Sequence, residues 1–328
     1  MEQSCDEELI RSLCLTFSLE SPQSWKLSGG TRNRTIVLDT SSGLWMARQR
    51  HPALCGDVRL AFDHAVVAHL AGLGVSVVAP RASEQGQTWW ECEDTVWEIH
   101  PFISGRAMRE NDADDLIALG EALGHFHAAG RSFPLRMEKL GPRGETDPTE
   151  LLSKAKELAD LSPECASAVA PYRDWVEQAV ASLPDAVYET LPHTLVHGDI
   201  QPGNLIFGYS GVRAFVDMDW CAWRPRIYDL AFTIPFCCAT HVAPIDGTDI
   251  WSLTQALEVK AEMRTAFLEA YERIASPLTA CEWAAMDAQT VLSWCHSRIF
   301  GAYKVPVGER ATFLARPPFD LNALGVAC

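Results

Sequence analysis

The sequence contains no long hydrophobic run and no excess of basic residues. None of its apolar stretches approaches the ~18 residues of a membrane-spanning helix, and residues 1–15 have no basic segment ahead of an apolar run, as a secretory signal would. Lys and Arg total 27 against 43 Asp and Glu, which gives a formal net charge of −16. Such a charge repels nucleic acid and anionic membrane surfaces. We therefore expect a cytoplasmic protein whose partner is neither nucleic acid nor a membrane.

The sequence also lacks C-x-x-C pairs, internal repeats and low-complexity tracts. Its 11 cysteines are an odd number, and the one close pair, Cys237 and Cys238, is adjacent and therefore poorly placed for a disulfide or a metal chelate. Reduced thiols that pack as small apolar side chains are the simpler interpretation. With 328 residues and 48% apolar content, the chain can bury a sizeable core as one two-lobed unit or two domains.

The first hundred residues are typical of short strands and turns around one helix. The segment "TIVLDTSSGLWMARQR" predicts a hairpin that turns at Gly43. The segment "DVRLAFDHAVVAHLAGLG" has apolar residues at helical spacing and predicts a helix that stops at Gly72 and Gly74. The apolar runs "VSVVAP" and "TVWEIHPFISG" predict two more strands.

From Asn111 onward the apolar residues follow a helical period. The segment "NDADDLIALGEALGHFHAAG" predicts a helix with acidic residues at its start and Gly130 at its end. Further helices are predicted at 149–160, 171–183, 251–275 and 279–300, the last beginning with a Thr279-x-x-Glu282 capping box. The pattern predicts an α+β protein, with a small β lobe at residues 1–104 and a larger, mainly helical lobe at 105–328.

Polar residues cluster at the ends of two apolar runs in "LVHGDIQPGNLIFGYSGVRAFVDMDW". Asp199 and Asn204 flank a Pro-Gly turn, and Asp217 ends the second run. Two carboxylates and an amide oxygen are hard donors that suit Mg²⁺ completed by substrate phosphates, and they suit Zn²⁺ poorly. This donor set favours phosphoryl transfer.

Three motifs occur in order: "HGDIQPGN", "FVDMDW", and "YDLAF" at residues 228–232. Together they resemble the signature of the superfamily of aminoglycoside phosphotransferases, choline kinases and type II homoserine kinases. The resemblance implies a protein-kinase-like, two-lobed fold, with an antiparallel sheet in the small lobe, that uses ATP and Mg²⁺. It implies that Asp199 is the catalytic residue that orients the acceptor hydroxyl and takes its proton. Asn204 and Asp217 would hold the metal, His197 would brace the loop, and Asp229 would be structural.

The resemblance also assigns nucleotide-binding roles to the first lobe. Arg48 stands at the strand position where protein kinases keep Lys, and Asp63 lies in the following helix where their partner Glu belongs. A guanidinium is bulkier than an ammonium and forks across two acceptors, so Arg48 need not meet the same phosphate oxygens as that Lys. Asp63 is shorter than Glu, so its pairing with Arg48 stays open. The segment "HPFISG" resembles the hinge that offers backbone groups to adenine. The implied cofactor-binding residues are Gly29, Gly30, Thr31, Arg48, His100 and Phe102.

Residues 119–141, "LGEALGHFHAAGRSFPLRMEKLG", resemble type II homoserine kinases in particular. This points to a small hydroxyl acceptor that bears an ammonium group, and it favours a homoserine-like amino acid. Asp219 could offset that ammonium, while Arg224 and Arg226 could meet a carboxylate. Trp220 and Trp223 could line the acceptor pocket.

The sequence also allows other functions. An aminoglycoside, or another antibiotic or sugar, is the alternative acceptor, and a catalytically weak nucleotide-binding protein of the same fold is a further alternative. A metal-dependent phosphoesterase would need clustered histidines after His197, where only His241 and His296 occur, far apart. The expected partner is a small molecule, and the protein itself is expected to be a monomer or a homodimer.

Overall fold

A computed structural model describes residues 2–28, 33–134, 136, 139, 141, 143–243, 245–246, 249–316 and 321–326. The predicted phosphate-loop residues Gly29, Gly30 and Thr31 lie outside the described residues. The chain divides into two compact units, Met1–Gly105 with Arg213–Asp219, and Arg106–Val212 with Trp220–Cys328. Among the described helices, none combines the length and apolar character that crossing a bilayer requires.

The first unit is built on an antiparallel sheet of five strands. Its helices are α1 (Glu2–Thr16) and α2 (Asp57–Gly72), and its strands are β1 (Ser24–Ser28), β2 (Arg34–Thr40), β3 (Gly43–Gln49), β4 (Trp90–Cys92) and β5 (Thr95–Pro101). The strand order is β1-β2-β3-β5-β4. The predicted hairpin is confirmed: β2 pairs with β3, and Gly43 has a φ of +119° that favours glycine.

Helix α1 supplies much of the core of this unit and was not predicted from the sequence. Its residues Ile10, Leu13 and Cys14, with Phe17 just beyond its end, are buried at helical spacing. They pack with residues of three strands, namely Ile36, Leu38, Ala47, Trp97 and Ile99. The predicted strand at "VSVVAP" is absent from the described structure, where Val77 makes only an isolated bridge to Phe215.

The second unit is mainly helical. Its helices are α3 (Ala113–Gly130), α4 (Pro148–Ala159), α5 (Pro163–Ser182), α6 (Asp185–Tyr188), α7 (Ile227–Cys237), α8 (Ile250–Leu253), α9 (Ala261–Ile274), α10 (Ala280–Gly301) and α11 (Arg310–Leu314). The later strands of the chain are β6 (His193–Val196), β7 (Leu205–Phe207), β8 (Val212–Phe215), β9 (Ala222–Pro225), β10 (Ala239–His241) and β11 (Leu257–Val259). The capping box at the start of α10 is confirmed, with Thr279 and Glu282 bonding reciprocally.

Two predicted helices differ from those observed. The segment 251–275 is divided among α8, β11 and α9, because Leu257 and Val259 are buried on either side of exposed Glu258 in a strand pattern. Helix α5 begins at Pro163, after the Ser162 cap, and continues through Pro171. Proline inside a helix is unfavourable, so packing on α4 and α10 outweighs the local preference here.

Two glycines allow α3 and α9 to pack very closely. A Cβ added at Gly120 would lie 2.9 Å from the Cβ of Ala270, and one added at Gly124 would lie 2.8 Å from the Cβ of Ile274. Both distances are shorter than carbon atoms tolerate. This close approach sets the position of His127, at the end of α3, against Tyr271 of α9.

Candidate active site

The loop that follows β6 is held by a buried carboxylate. Asp229, in the first turn of α7, accepts hydrogen bonds from the backbone N–H groups of His197 (2.7 Å) and Gly198 (2.8 Å). Gly198 has a φ of +88°, and a Cβ there would overlap the carbonyl oxygen of Trp220. Buried His197 accepts a 3.2 Å bond from the backbone N–H of Asp199 through Nδ1. The glycine and the two polar side chains therefore fix the backbone that carries Asp199.

Asp229 is in turn held by His127, which also contacts Tyr271. His127 Nε2 lies 3.0 Å from Asp229 Oδ2, and His127 Nδ1 lies 2.9 Å from the Tyr271 hydroxyl. Burial alone would raise the pKa of Asp229, but the bond to His127 and the bonds from the loop lower it below its usual value. Asp229 is therefore held as an anion beneath the loop.

Asp199 lies at the centre of the loop and is itself partly buried. Asn204 Nδ2 donates to Asp199 Oδ2 at 2.9 Å, and Gln201 Nε2 lies within 3.2 Å of both carboxylate oxygens. Burial and the negative charge of Glu145 raise the pKa of Asp199 to about 6, against the opposing effects of Gln201, Asn204 and the Lys304 ammonium. A carboxylate with this pKa is suited to accepting a proton near neutral pH.

In the first unit, Arg48 contacts the carboxylates of the "DMD" segment. Its Nη2 lies 2.7 Å from Asp217 Oδ1 and 2.6 Å from Asp219 Oδ2, and its Nη1 lies 2.9 Å from Asp219 Oδ1. Asp217 has a φ of +62°, which is uncommon for a residue other than glycine. Strained backbone of this kind is frequent at functional sites.

The partner of Asp63 is Arg50, two residues beyond Arg48. Arg50 Nη2 lies 2.6 Å from Asp63 Oδ2 and 3.0 Å from Asp219 Oδ1, while its Nη1 lies 3.0 Å from Glu98 Oε1. These four side chains are almost completely buried. The sequence left open whether Asp63 pairs with Arg48. In this structure the Asp63 carboxylate pairs with Arg50.

Sequence reasoning missed Arg50 and Glu98. Glu98, on β5, contacts Arg48, Arg50, His64 and His100. Although burial would raise the pKa of Glu98, hydrogen bonds from the two histidines and the charges of the two arginines hold it well below its usual value. Glu98 could have been found from the sequence, since it is a lone carboxylate inside the apolar run of β5. A carboxylate in such a position is buried only together with charged or hydrogen-bonding partners.

The predicted hinge residues are engaged within the first unit. The backbone N–H of Phe102 donates to the carbonyl oxygen of Leu44 at 3.1 Å, which continues the β3–β5 pairing. His100 Nε2 lies 3.2 Å from Glu98 Oε2. In this structure the Phe102 amide is therefore part of the sheet.

The residues predicted to contact an acceptor have other partners here. Both carboxylate oxygens of Asp219, which is 3% exposed, bond to guanidinium groups. Half-buried Trp220 lies beside Gly198, and the ring of Trp223 is covered by the Arg136 guanidinium at 4.2 Å from its centre. The π face of Trp223 is thus already occupied by a cation.

Arg224 and Arg226 are interior residues, 1% and 6% exposed. Arg224 lies over the ring of Tyr228 and donates to the carbonyl oxygen of Lys139. Arg226 forms a bidentate pair with Glu282, with distances of 2.6 and 2.9 Å. This arrangement contradicts the expectation that either arginine offers its charge to an acceptor carboxylate.

The residues that the resemblance assigns to a metal carry carboxylate and amide oxygen atoms. Among the described residues, no group of three or more His, Cys, Asp or Glu side chains forms a metal cluster. Asp217 keeps a carboxylate that is 36% exposed, and the amide nitrogen of Asn204 faces Asp199, which turns its carbonyl oxygen to the other side. Each of these oxygen atoms is a hard donor of the kind that Mg²⁺ prefers in proteins.

Comparison with known proteins places these features in context. Residues 26–283 match the model of the phosphotransferase enzyme family. A homoserine kinase of Rhodopseudomonas palustris (strain TIE-1) is 26% identical over 312 residues, covering 92% of this chain and 88% of that protein. A homoserine kinase of Phenylobacterium zucineum (strain HLK1) is 26% identical over 328 residues, covering 98% and 97%.

Solved structures share the fold at lower sequence identity. An amicoumacin kinase in complex with AMP-PNP and Ca²⁺ superposes with a TM-score of 0.62 at 13% identity and covers 98% of this chain and 99% of its own. A spectinomycin phosphotransferase in complex with ADP and spectinomycin gives 0.57 at 17% identity, covering 93% and 97%. The predicted α+β, kinase-like fold is thereby confirmed.

Proposed function

We propose a specific reaction for this chain, which belongs to the phosphotransferase enzyme family and is a small-molecule kinase. It transfers the γ-phosphoryl group of ATP, with Mg²⁺, to a hydroxyl group of a small amino-containing metabolite, for which a homoserine-like amino alcohol is favoured. The observation that carries this proposal is Asp199, whose carboxylate is fixed by the loop and whose pKa is raised to about 6.

Asp199 acts on the acceptor. The acceptor hydroxyl donates a hydrogen bond to the Asp199 carboxylate, which orients its oxygen toward the γ-phosphorus. As the new oxygen–phosphorus bond forms and the bond to the leaving ADP breaks, the hydroxyl proton passes to Asp199. A pKa of about 6 leaves the carboxylate ionised at neutral pH while making it a better proton acceptor than an ordinary aspartate.

The nucleotide assignments rest on the family resemblance. Gly29, Gly30 and Thr31 would cover the phosphates with backbone amides, and Arg48 would meet phosphate oxygens. His100 and Phe102 would flank the adenine. Asn204 and Asp217 would hold Mg²⁺, which offsets the negative charge of the phosphates when bound.

The acceptor class is supported by the curated relatives and by residues 119–141. The relatives named above are homoserine kinases, and the match extends over nearly the whole chain. An aminoglycoside or other antibiotic acceptor is the second candidate, because the structural neighbours include an amicoumacin kinase and a spectinomycin phosphotransferase. A catalytically weak nucleotide-binding protein is the third, and the presence of Asp199, Asn204 and Asp217 together argues against it.

A coupled ADP-release screen tests the proposal. The purified protein is supplied with Mg·ATP and with homoserine, other amino alcohols, choline-like cations, sugars or aminoglycosides, and the phosphorylated product is identified by mass spectrometry. We expect the highest specificity constant for homoserine or a close amino alcohol. Preferred turnover of an aminoglycoside would support the second candidate, and Mg·ATP binding without turnover of any acceptor would support the third.

A further inference from the structure

Asp217 lies in a backbone conformation that residues other than glycine seldom adopt. Its φ is +62°, and a side chain at positive φ costs free energy relative to ordinary backbone. Such a conformation persists only where the surrounding contacts hold the chain in it. The contacts on either side of Asp217 therefore decide where its carboxylate points.

The chain ahead of Asp217 is held by a backbone hydrogen bond. The N–H of Phe215 donates to the carbonyl oxygen of Ser76 at 2.8 Å, and Val77 forms a parallel bridge with Phe215. Phe215 is the last residue of β8 and is fully buried. The main chain is thereby fixed two residues before Asp217, within the first unit.

The chain after Asp217 is held at Asp219, through both its main chain and its side chain. Arg59, on α2, donates from Nη2 to the Asp219 carbonyl oxygen at 2.9 Å. Arg50 Nη2 lies 3.0 Å from Asp219 Oδ1, and Arg48 bonds both carboxylate oxygens of Asp219. Three arginines of the first unit therefore contact one aspartate, two residues beyond the predicted metal ligand.

Arg50 connects Asp219 to the rest of the first unit. Its guanidinium also pairs with Asp63 of α2 at 2.6 Å and with Glu98 of β5 at 3.0 Å. Helix α2 therefore contacts Asp219 directly through Arg59, and indirectly through Asp63 and Arg50. The ion pairs among these buried side chains keep their geometry, because separating them would leave an unpaired charge in the interior.

We propose that Asp219 and the two arginines that connect it to α2, Arg50 and Arg59, are positioning residues for the metal ligand. They hold the backbone of Asp217 so that its carboxylate meets the metal. The assignment rests on the proposed function, in which Asp217 binds Mg²⁺ together with ATP, and makes it more specific. Outer residues of this kind set metal affinity, because they fix the orientation of the ligand itself.

This role differs from two others that the same types of side chain could perform. A carboxylate that bound the acceptor ammonium would affect the KM for the acceptor. A guanidinium that bound nucleotide phosphates would affect ATP affinity both with and without metal. A positioning residue for the metal ligand affects ATP affinity chiefly when the metal is present, so the dependence on metal distinguishes the three roles.

Calorimetry with a non-hydrolysable ATP analogue measures this dependence without turnover. The dissociation constant is determined in EDTA and in Mg²⁺, and the ratio of the two values is the gain in affinity due to metal. The variants are Asp219→Asn, which keeps the size of the side chain but removes its charge, and Arg59→Gln, which removes the bond to the main chain. Exposed Asp94→Asn and Arg11→Gln are controls with the same changes of charge.

We expect the gain due to metal to fall about 10-fold or more in Asp219→Asn and in Arg59→Gln, and to be unchanged in both controls. Arg59→Lys keeps a donor at this position and should recover part of the gain. Arg59→Gln leaves the ion pairs of Asp219 in place, so it decides the question if Asp219→Asn does not fold.

Two results would overturn the assignment alone. One is a loss of affinity in the variants that is equal in Mg²⁺ and in EDTA, and the other is a gain due to metal that equals that of the wild type. A wild type whose affinity for the analogue does not depend on Mg²⁺ would instead refute the metal site of the proposed function, and the assignment with it.

Discussion

At the scale of single residues, Asp199 combines two properties that tie it to proton transfer. Its carboxylate is oriented by Asn204 and Gln201, and its pKa is raised to about 6. We expect Asp199→Asn to lower kcat by about 10²–10⁴-fold, because the acceptor loses its proton partner. ATP affinity measured by calorimetry should be nearly unchanged. A variant with wild-type turnover would remove the proposed role.

The same carboxylate predicts a pH dependence. The ionised form of Asp199 is the active one, so the specificity constant should rise with pH and level off above an inflection near pH 6. Glu145→Gln should move this inflection to lower pH, since a negative charge that raises the pKa is lost. Steady-state rates from pH 5 to 8 give both values, and an inflection that stays in place would contradict the link to Glu145.

Asp217 predicts a different defect. As a metal ligand it would act before the chemical step, so Asp217→Ala should weaken ATP binding by about 10-fold or more when Mg²⁺ is present. Binding in EDTA should change much less. Equal calorimetric affinities for wild type and variant in Mg²⁺ would show that the metal assignment is wrong.

Contacts between residues of one motif were predicted from the sequence far better than ion pairs between distant segments. The "HGDIQPGN" motif placed Asp199 and Asn204 on one loop, where their side chains bond. The partners of Arg48 and Asp63 were not predictable in the same way. Arg48 meets Asp219 across 171 positions, and Asp63 meets Arg50, which lies one residue beyond the end of β3. Local spacing shows which charges share a face, but only the topology decides which carboxylate reaches them.

At the scale of elements, long periodic segments were predicted well and short or polar ones were not. The sequence indicated α2, α3 and α10 almost to their ends, because each has an apolar stripe and a stop or cap. Helix α1 was missed although Ile10, Leu13 and Phe17 have helical spacing, since polar residues dominate its first two turns. The loop that carries Asp199 depends on such packing, because His127 reaches Asp229 only when α3 is packed correctly on α9.

Gly124→Ala tests this dependence. The new methyl group would lie too close to Ile274 and push α3 away from α9, which should cost about 1–3 kcal/mol of unfolding free energy. The displacement should also lower kcat, since His127 bonds both Tyr271 and Asp229. Gly72→Ala is the control, because a Cβ at that helical position meets nothing within 4 Å and should be neutral or stabilising. Urea unfolding that is identical for the two variants would contradict the packing argument.

At the scale of the whole molecule, the acidic chain is stabilised by buried anions. Ion pairs and hydrogen bonds outweigh burial and lower the pKa of five such carboxylates, namely Glu98, Asp115, Asp219, Asp229 and Glu282. A carboxylate with a lowered pKa stabilises the fold above its unfolded pKa and loses this contribution as pH falls. Asp199 has the opposite sign, because with a raised pKa it costs stability as pH rises between about 4 and 6.

The five carboxylates with a lowered pKa should dominate this pH dependence. We expect the free energy of unfolding to fall by about 3 kcal/mol or more between pH 6 and pH 3, as each anion takes up a proton and loses its partner. Urea titrations at fixed ionic strength across this range measure the change. Stability that is constant or that rises toward pH 3 would show that these carboxylates do not hold the fold.

The assignment of Arg213–Asp219 to the first unit has a consequence for biosynthesis. When a ribosome has released residues 1–105, the nascent sheet already contains Arg48 and Arg50, but Asp217 and Asp219 have not been made. Arg50 is 2% exposed in the finished protein, so its charge cannot be buried cheaply while one of its carboxylates is missing. The buried charge of Arg50 is therefore fully balanced only after residue 219 has been translated. A translation product that stops at residue 105 should remain open to proteases.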